Sequence, residues 1–163
     1  MTKRILVIAD SHGENAIMQD IITKQKADLI IHAGDYCTDI QWMKKHFHYF
    51  VDGNNDNEWV PIQIFTVGEF KFLLTHGHPE WSFDSIKWHQ RLRKLGGQHH
   101  ADVVIYGHSH TEVVDQSSKP FIVNPGSITL PRNNKNCKSY MIIEVNNRDI
   151  NFFIKYIDEK ESW

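Results

Sequence analysis

Little in this chain is extreme, and each shortage removes a class of protein. Its 163 residues hold two cysteines and five prolines. Cys37 and Cys137 show no C-x-x-C spacing. They make neither a disulfide-stapled scaffold nor a thiolate metal site, and read as free thiols in a reducing compartment. The first apolar run is short, cut by Asp10, whereas a secretory signal needs about 7–15 apolar residues and a membrane span about 20. A cytoplasmic protein without a membrane partner is therefore expected. A formal charge of -2 carries no basic footprint for binding nucleic acid in bulk. No repeat, low-complexity segment or linker breaks the sequence. Residues 1–157 are expected to form one domain, large enough to need no staples, with a frayed tail over 158–163.

What is present is a regular alternation of elements. Arg4–Ala9 reads as a buried strand, and Ala16–Lys26 as a helix with Asn15 as N-cap and Ile17, Met18, Ile21 and Ile22 on one face. A second strand over Asp28–His32, a helix over Thr38–His46 capped by Thr38, and a third strand over His48–Val51 follow. This β-α-β-α-β order predicts parallel strands with right-handed crossovers. The pattern then changes. Ile62–Val67 and Phe70–Thr75 form a hairpin around Gly68-Glu69, and Ser85–Leu95 a helix capped by Asp84 and stopped by Gly96-Gly97. A strand over Val103–Tyr106 precedes two more hairpins, Glu112–Asp115 with Pro120–Val123 and Lys138–Val145 with Ile150–Ile157. The expectation is a single α/β domain, parallel in its first half and antiparallel in its second. Two mixed sheets packed face to face with helices outside accommodate it.

The eleven histidines are the compositional outlier, and their placement matters more than their number. Five strand ends each deliver metal-ligand residue types: Asp10 and His12, then Asp35, Asn54, His76, and finally His108 and His110. Any one of these alone is an ordinary turn or surface residue. Together they describe a shared site, and the loops carrying Asp35, Asn54, His76 and His108 each place a glycine beside the candidate, where backbone can approach a ligand closely. Such a set exceeds the four ligands of one tetrahedral zinc and suggests two ions bridged by a carboxylate. Mixed nitrogen and oxygen donors suit Mn, Fe, Ni, Co or Zn without choosing between them.

The run Asp10-x-His12, Gly34-Asp35, Gly53-Asn54-x-Asp56, His76-Gly77-His78 and Gly107-His108-x-His110 resembles the calcineurin-like metallophosphoesterase superfamily. With Asn124-Pro125-Gly126-Ser127 and Leu130-Pro131-Arg132, it is most similar to the small single-domain bacterial and archaeal phosphodiesterase branch. The resemblance implies a four-layer α/β-β/α sandwich with two divalent ions, Mn foremost, at the strand ends. One ion would take Asp10, His12, Asp35 and His110, the other Asp35, Asn54, His76 and His108, with Asp35 bridging. A water shared by the ions would lose its proton readily and attack phosphorus in line. The implied activity is a phosphodiesterase acting on a small or nucleotidic diester, with catalysis centred on the metals, Asp35 and Asn54. The alternatives are a phosphomonoesterase on a small metabolite or phosphoprotein, and a non-catalytic scaffold like the retromer subunit of this fold.

One position departs from many relatives. Where they carry a proton-donating His directly after the Asn, this chain has Asn55, which cannot act as a general acid. The departure favours good leaving groups or a substitute donor. His78 is the candidate, with a hydrogen-bonding role beside a metal ligand as its alternative. Asp56 is expected to orient its surroundings rather than bind metal. Gly126-Ser127 backbone and Arg132 are either phosphate contacts or a turn and a surface charge. Trp81, Phe83 and Trp88 are read as core packing, and His46, His48, His99 and His100 as surface. The expected partner is a small phosphoester substrate; oligomeric state is open.

Overall fold

The structure, a computed structural model, describes residues 1–57 and 59–157. The tail expected over 158–163 lies outside the described residues.

Two five-stranded sheets stack face to face. The first is built on β1 (Lys3–Ile8), β2 (Leu29–His32) and β3 (Tyr49–Phe50), parallel to one another as the β-α-β pattern predicts. The last hairpin, β9 (Ser139–Asn146) and β10 (Asp149–Tyr156), adds antiparallel beside β1, giving the order β10-β9-β1-β2-β3. The second sheet contains β4 (Ile62–Val67), β5 (Phe70–Thr75), β6 (Val103–Ile105), β7 (Val113–Asp115) and β8 (Phe121–Asn124) in the order β4-β5-β6-β8-β7. Its β5-β6 and β6-β8 pairings are parallel and its edge pairings antiparallel. Helices α1 (Asn15–Gln25) and α2 (Ile40–His46) cover the outer face of the first sheet, and α3 (Ser85–Gln98) that of the second. The four-layer α/β-β/α sandwich expected from the sequence is the fold.

Strand alternation places the core. Ile5, Val7, Ile31, Phe72, Leu74, Val103, Ile105, Met141 and Ile143 fill the space between the sheets. Their neighbours Leu6, Ile8 and Ile142 face α1 and α2, and Leu73, Val104 and Ile122 face α3. Strands buried on both faces read as continuous apolar runs, which is why β1 could be recognised as buried from sequence. Phe72 lies at the centre, its ring parallel to that of Phe65 with centroids 5.0 Å apart.

Several boundaries move, each for a local reason. Glu14, not Asn15, precedes α1, and the Asn15 amide reaches across to Thr38 Oγ1 (2.8 Å). Asp39 caps α2 through the Gln41 N–H, displacing Thr38. Asp84 caps α3 as expected, accepting from Ile86 N–H at 3.0 Å. That helix runs through Gly96-Gly97 to Gln98 instead of stopping there. Gly96 is a packing glycine: a Cβ there would stand 2.6 Å from Val104 Cγ2 and 2.9 Å from Pro120, so its small size lets the helix settle on the sheet. A one-turn 3-10 segment at His78–Glu80 was not anticipated. Trp88 is buried in the α3 core, but Trp81 and Phe83 are 39% and 94% exposed, which corrects their reading as core. No helix among the described residues is long and apolar enough to cross a membrane.

Phe72→Ala would open a cavity between the sheets and is expected to cost about 3–5 kcal/mol, lowering the urea midpoint without changing the slope of the transition. A loss below about 1 kcal/mol would show that the inter-sheet core is not centred there.

Candidate metal centre

The carboxyl ends of β1, β2, β5 and β6 converge at one rim of the sandwich, bringing Asp10, His12, Asp35, His76 and the 108–110 loop together. The close distances define the centre. Asp35 Oδ2 lies 3.4 Å from His76 Nε2 and 3.9 Å from His12 Nε2. Asp10 Oδ1 lies 3.7 Å from His76 Nε2 and 3.4 Å from His110 Nε2, and the His12 and His110 Nε2 atoms are 3.4 Å apart. Two overlapping ligand-type clusters result, Asp10-His12-His110 and Asp10-Asp35-His76. The His108 ring stands beside them, its centroid 5.2 Å from that of His76. Asn54 is exposed and lies in a cleft shared with His78. Of the seven ligand candidates, five interlock, His108 adjoins them, and Asn54 sits at the edge.

The backbone holds these side chains in an uncommon conformation. Asp10, His12, Asp35, His108 and His110 have φ of 52°, 46°, 58°, 73° and 58°, in the left-handed region that non-glycine residues seldom enter. Strain of this kind persists only where the surroundings enforce it, and it clusters at functional sites. Two glycines let the loops close on the carboxylates. A Cβ on Gly53 would collide with Asp35 Oδ1, and one on Gly107 would stand 2.9 Å from Asp10 Oδ2.

Fixed hydrogen bonds aim the rings. His76 Nδ1 donates to Ala33 O (2.8 Å) and His110 Nδ1 to Leu130 O (2.7 Å), so each Nε2 turns inward. Asp10 Oδ2 accepts from His108 N–H (3.0 Å), leaving Oδ1 to the centre. Both oxygens of Asp35 accept from Asn55, one from its N–H and one from its amide, each at 2.9 Å. Asp56 accepts from the N–H groups of Asp35, Tyr36, Cys37 and Gly53, orienting two loops at once.

Sequence reading missed three supports. His32, fully buried, accepts the Gly34 N–H at Nδ1 (3.0 Å), so its Nε2–H donates to Ser11 Oγ (2.8 Å). Ser127 and Thr129 hydroxyls both donate to Asp10 O, at 2.7 and 3.1 Å. Asn124 bridges Gly107 O and Ser109 Oγ, both at 3.1 Å. Only the polar residue ending the β2 apolar run could have drawn attention to His32. Of the two readings of Gly126-Ser127, the geometry favours the turn: the Gly126 N–H is held by Asn124 Oδ1 and the Ser127 hydroxyl is buried on Asp10. Arg132 is exposed in a separate groove with Glu112 and Asn133.

Burial and charge set the proton states. Asp35 is opposed by burial, but the His76 imidazole 3.4 Å away and the Asn55 donors hold its carboxyl below the usual carboxylate range. His76 resists burial through Asp35 and Asp10 and is raised above the ordinary imidazole range. Burial, helped by the charge of His76, lowers His108 to about 4 and His32 to about 3.

The family follows from the sequence and agrees with this arrangement. The family model for the calcineurin-like phosphoesterase superfamily domain matches residues 4–148, and the chain belongs to that superfamily. It is 40% identical to a probable metallophosphoesterase of Mycoplasma genitalium over 90% of each chain. It is 26% identical to a phosphodiesterase of Methanocaldococcus jannaschii over 76% of this chain and 82% of that one. A crystal structure of a predicted phosphoesterase from Streptococcus pneumoniae superposes with a TM-score of 0.79 at 26% identity, covering 96% of this chain and 90% of that one. Vps29 of Chaetomium thermophilum shares the fold, with a TM-score of 0.78 at 19% identity over 98% and 89%. Members of the superfamily use divalent metals, and the donor set here suits them. Asp10 Oδ1 and His76 Nε2 are buried with no hydrogen-bond partner among the described residues, a costly state for two inward-facing ligand atoms that a cation relieves.

The depressed imidazoles make metal-free protein acid-labile. A group whose folded pKa is lowered stabilises above its unfolded value and loses that contribution as pH falls through the folded one. Unfolding free energy in the presence of chelator is therefore expected to fall between pH 6.5 and about 3 for His32, with His108 adding in the same direction. His32→Gln, which does not titrate there, should flatten the slope of stability against pH in this window. Equal slopes would refute the assignment of His32.

Proposed function

We propose that the chain is a dimetal phosphoesterase whose preferred substrates are small or nucleotidic phosphodiesters. The supporting observation is the pair of ligand-type clusters joined through two aspartates. Asp35 Oδ2 faces both His76 and His12, the position a bridging carboxylate needs. Asp10, His12, Asp35 and His110 would hold one divalent ion, and Asp35, Asn54, His76 and His108 the other. Asp10 lies close to His76 as well as to His110, so its carboxylate could serve either ion. Mn is the first choice of metal; Ni, Fe, Co and Zn suit the same donors. When bound, such ions supply Lewis acidity, making water a better nucleophile at neutral pH and neutralising charge on the phosphoryl oxygens.

The chain's own residues do the rest. Carbonyl-anchored His76 and His110 keep their Nε2 atoms on the centre, so no reorganisation is needed when charge develops. Asn55 has no proton to give, and its amide instead fixes Asp35. His78 is the nearest substitute donor. Burial and the charge of His76 lower its pKa, so near neutrality it is uncharged and protonates a leaving alkoxide weakly. Reactions whose leaving group needs little protonation are favoured over those that depend on a general acid, and this supports diesters with stable leaving anions. The likeness to Vps29 at 19% identity speaks to fold alone; an intact set of inward ligand atoms has no evident use in a pure scaffold.

Protein reconstituted with Mn is expected to hydrolyse bis(p-nitrophenyl) phosphate faster than p-nitrophenyl phosphate, and chelator should abolish both activities. His76→Ala should lower kcat by at least about 100-fold, the upper end of what removing a ligand's supporting partner costs. A faster monoester reaction would select the monoesterase. Absence of turnover with every divalent metal, together with no metal binding in a titration, would reinstate the scaffold.

A further inference from the structure

Beside the centre lies a cleft of about 300 Å3 lined by Asp52, Asn54, Asn57, Trp59, Pro61 and His78, with Gly53, Asp56, Val60 and Pro79 completing it. We infer that this cleft seats the nucleobase of a nucleotidic substrate, stacked on Trp59. The inference rests on the phosphoester chemistry proposed for the centre.

Position comes first. Asn54 and His78 belong to the proposed centre and also line the cleft, and the His78 ring lies 5.4 Å from that of His76 and 6.2 Å from that of His108. A phosphoryl group at the centre therefore has one substituent directed along this wall. His78 therefore belongs to both the centre and the cleft, and its Nδ1 is buried without a hydrogen-bond partner among the described residues.

The lining then selects the substituent. None of the described residues lining the cleft is Lys or Arg, so it does not suit a second phosphate. Its two carboxylates are already engaged. Asp52 accepts from Tyr36 OH (2.6 Å) and Val60 N–H (3.0 Å), and Asp56 is held by four backbone N–H groups. What remains, with Asn54 committed to the centre, is the amide of Asn57, which can pair with the edge of a base, and flat apolar surface from Trp59, Pro61 and Pro79. Trp59 is 87% exposed with φ 55°, a conformation costly for a bulky residue. Its indole packs into no core, and an unburied indole beside a phosphoester centre is a stacking platform for a planar ring. The volume matches the small end of ligand pockets. A methyl substituent would leave the indole unused, and a sugar would leave the Asn57 amide without the edge of a planar ring to pair with.

Calorimetry with AMP and ribose 5-phosphate isolates the base, since the two share the phosphate and the sugar. Metal-loaded protein is expected to bind AMP about tenfold more tightly than ribose 5-phosphate. Trp59→Ala should erase that preference by weakening AMP alone, and Trp59→Phe should keep most of it. Trp81→Ala, which alters an exposed aromatic that does not line the cleft and whose ring lies 6.1 Å from that of His108, should leave it intact. The inference is overturned if the wild type shows no preference for AMP, if the preference survives Trp59→Ala, or if Trp81→Ala removes it. None of these outcomes depends on turnover. Failure of the aryl diester assay with a retained, Trp59-dependent AMP preference would sink the phosphodiesterase reading and leave the base site standing.

Discussion

Everything at the rim depends on how Asp10 is held. It lies just past β1 of the first sheet, yet its carboxylate takes the His108 N–H from the loop after β6 in the second. Its carbonyl takes the Ser127 and Thr129 hydroxyls, also from beyond the second sheet. Its N–H reaches Gly34 O at the end of β2. One residue therefore ties three loops across the seam between the sheets. The apolar core alone would let the layers slide, because hydrophobic contact is not directional. The Asp10 hydrogen bonds fix their registry and leave Oδ1 pointing inward.

That constraint explains why the strained residues fall where they do. A strand that simply ended would send its next side chain along the sheet. The left-handed turn at Asp10, Asp35 and His108 reverses each chain just past its strand, so the side chain folds back over the rim. Asp56 performs the matching task for the loop after β2, gathering the N–H groups of residues 35, 36 and 37 onto one carboxylate. Burial lifts its pKa above the ordinary carboxylate range despite those donors.

Much of this was legible in the sequence, and unequally so. The β4-β5 hairpin appears with the expected bounds because its alternation and its Gly68-Glu69 turn are local signals. The ligand-type residues could be named because each ends an apolar run, and the strand ends of such a sandwich share a rim. What could not be read was anything depending on contacts between distant segments. His32 looks like one more strand residue until Ser11 and Gly34 are seen on either side of it. Gly96 looks like a helix stop until Val104 is found against it. Trp81 and Phe83 look like core because an aromatic cluster usually is, and only the layer count shows that no sheet face remains to cover them.

Asn55 carries the last step. In this chain the position that many relatives give to a proton donor is occupied by a side chain bonded to Asp35. The Asn55 N–H and its amide together hold both oxygens of Asp35 in place. Under the phosphoester chemistry proposed above, a site without a general acid at this position would favour substrates whose departing oxygen is already stable as an anion.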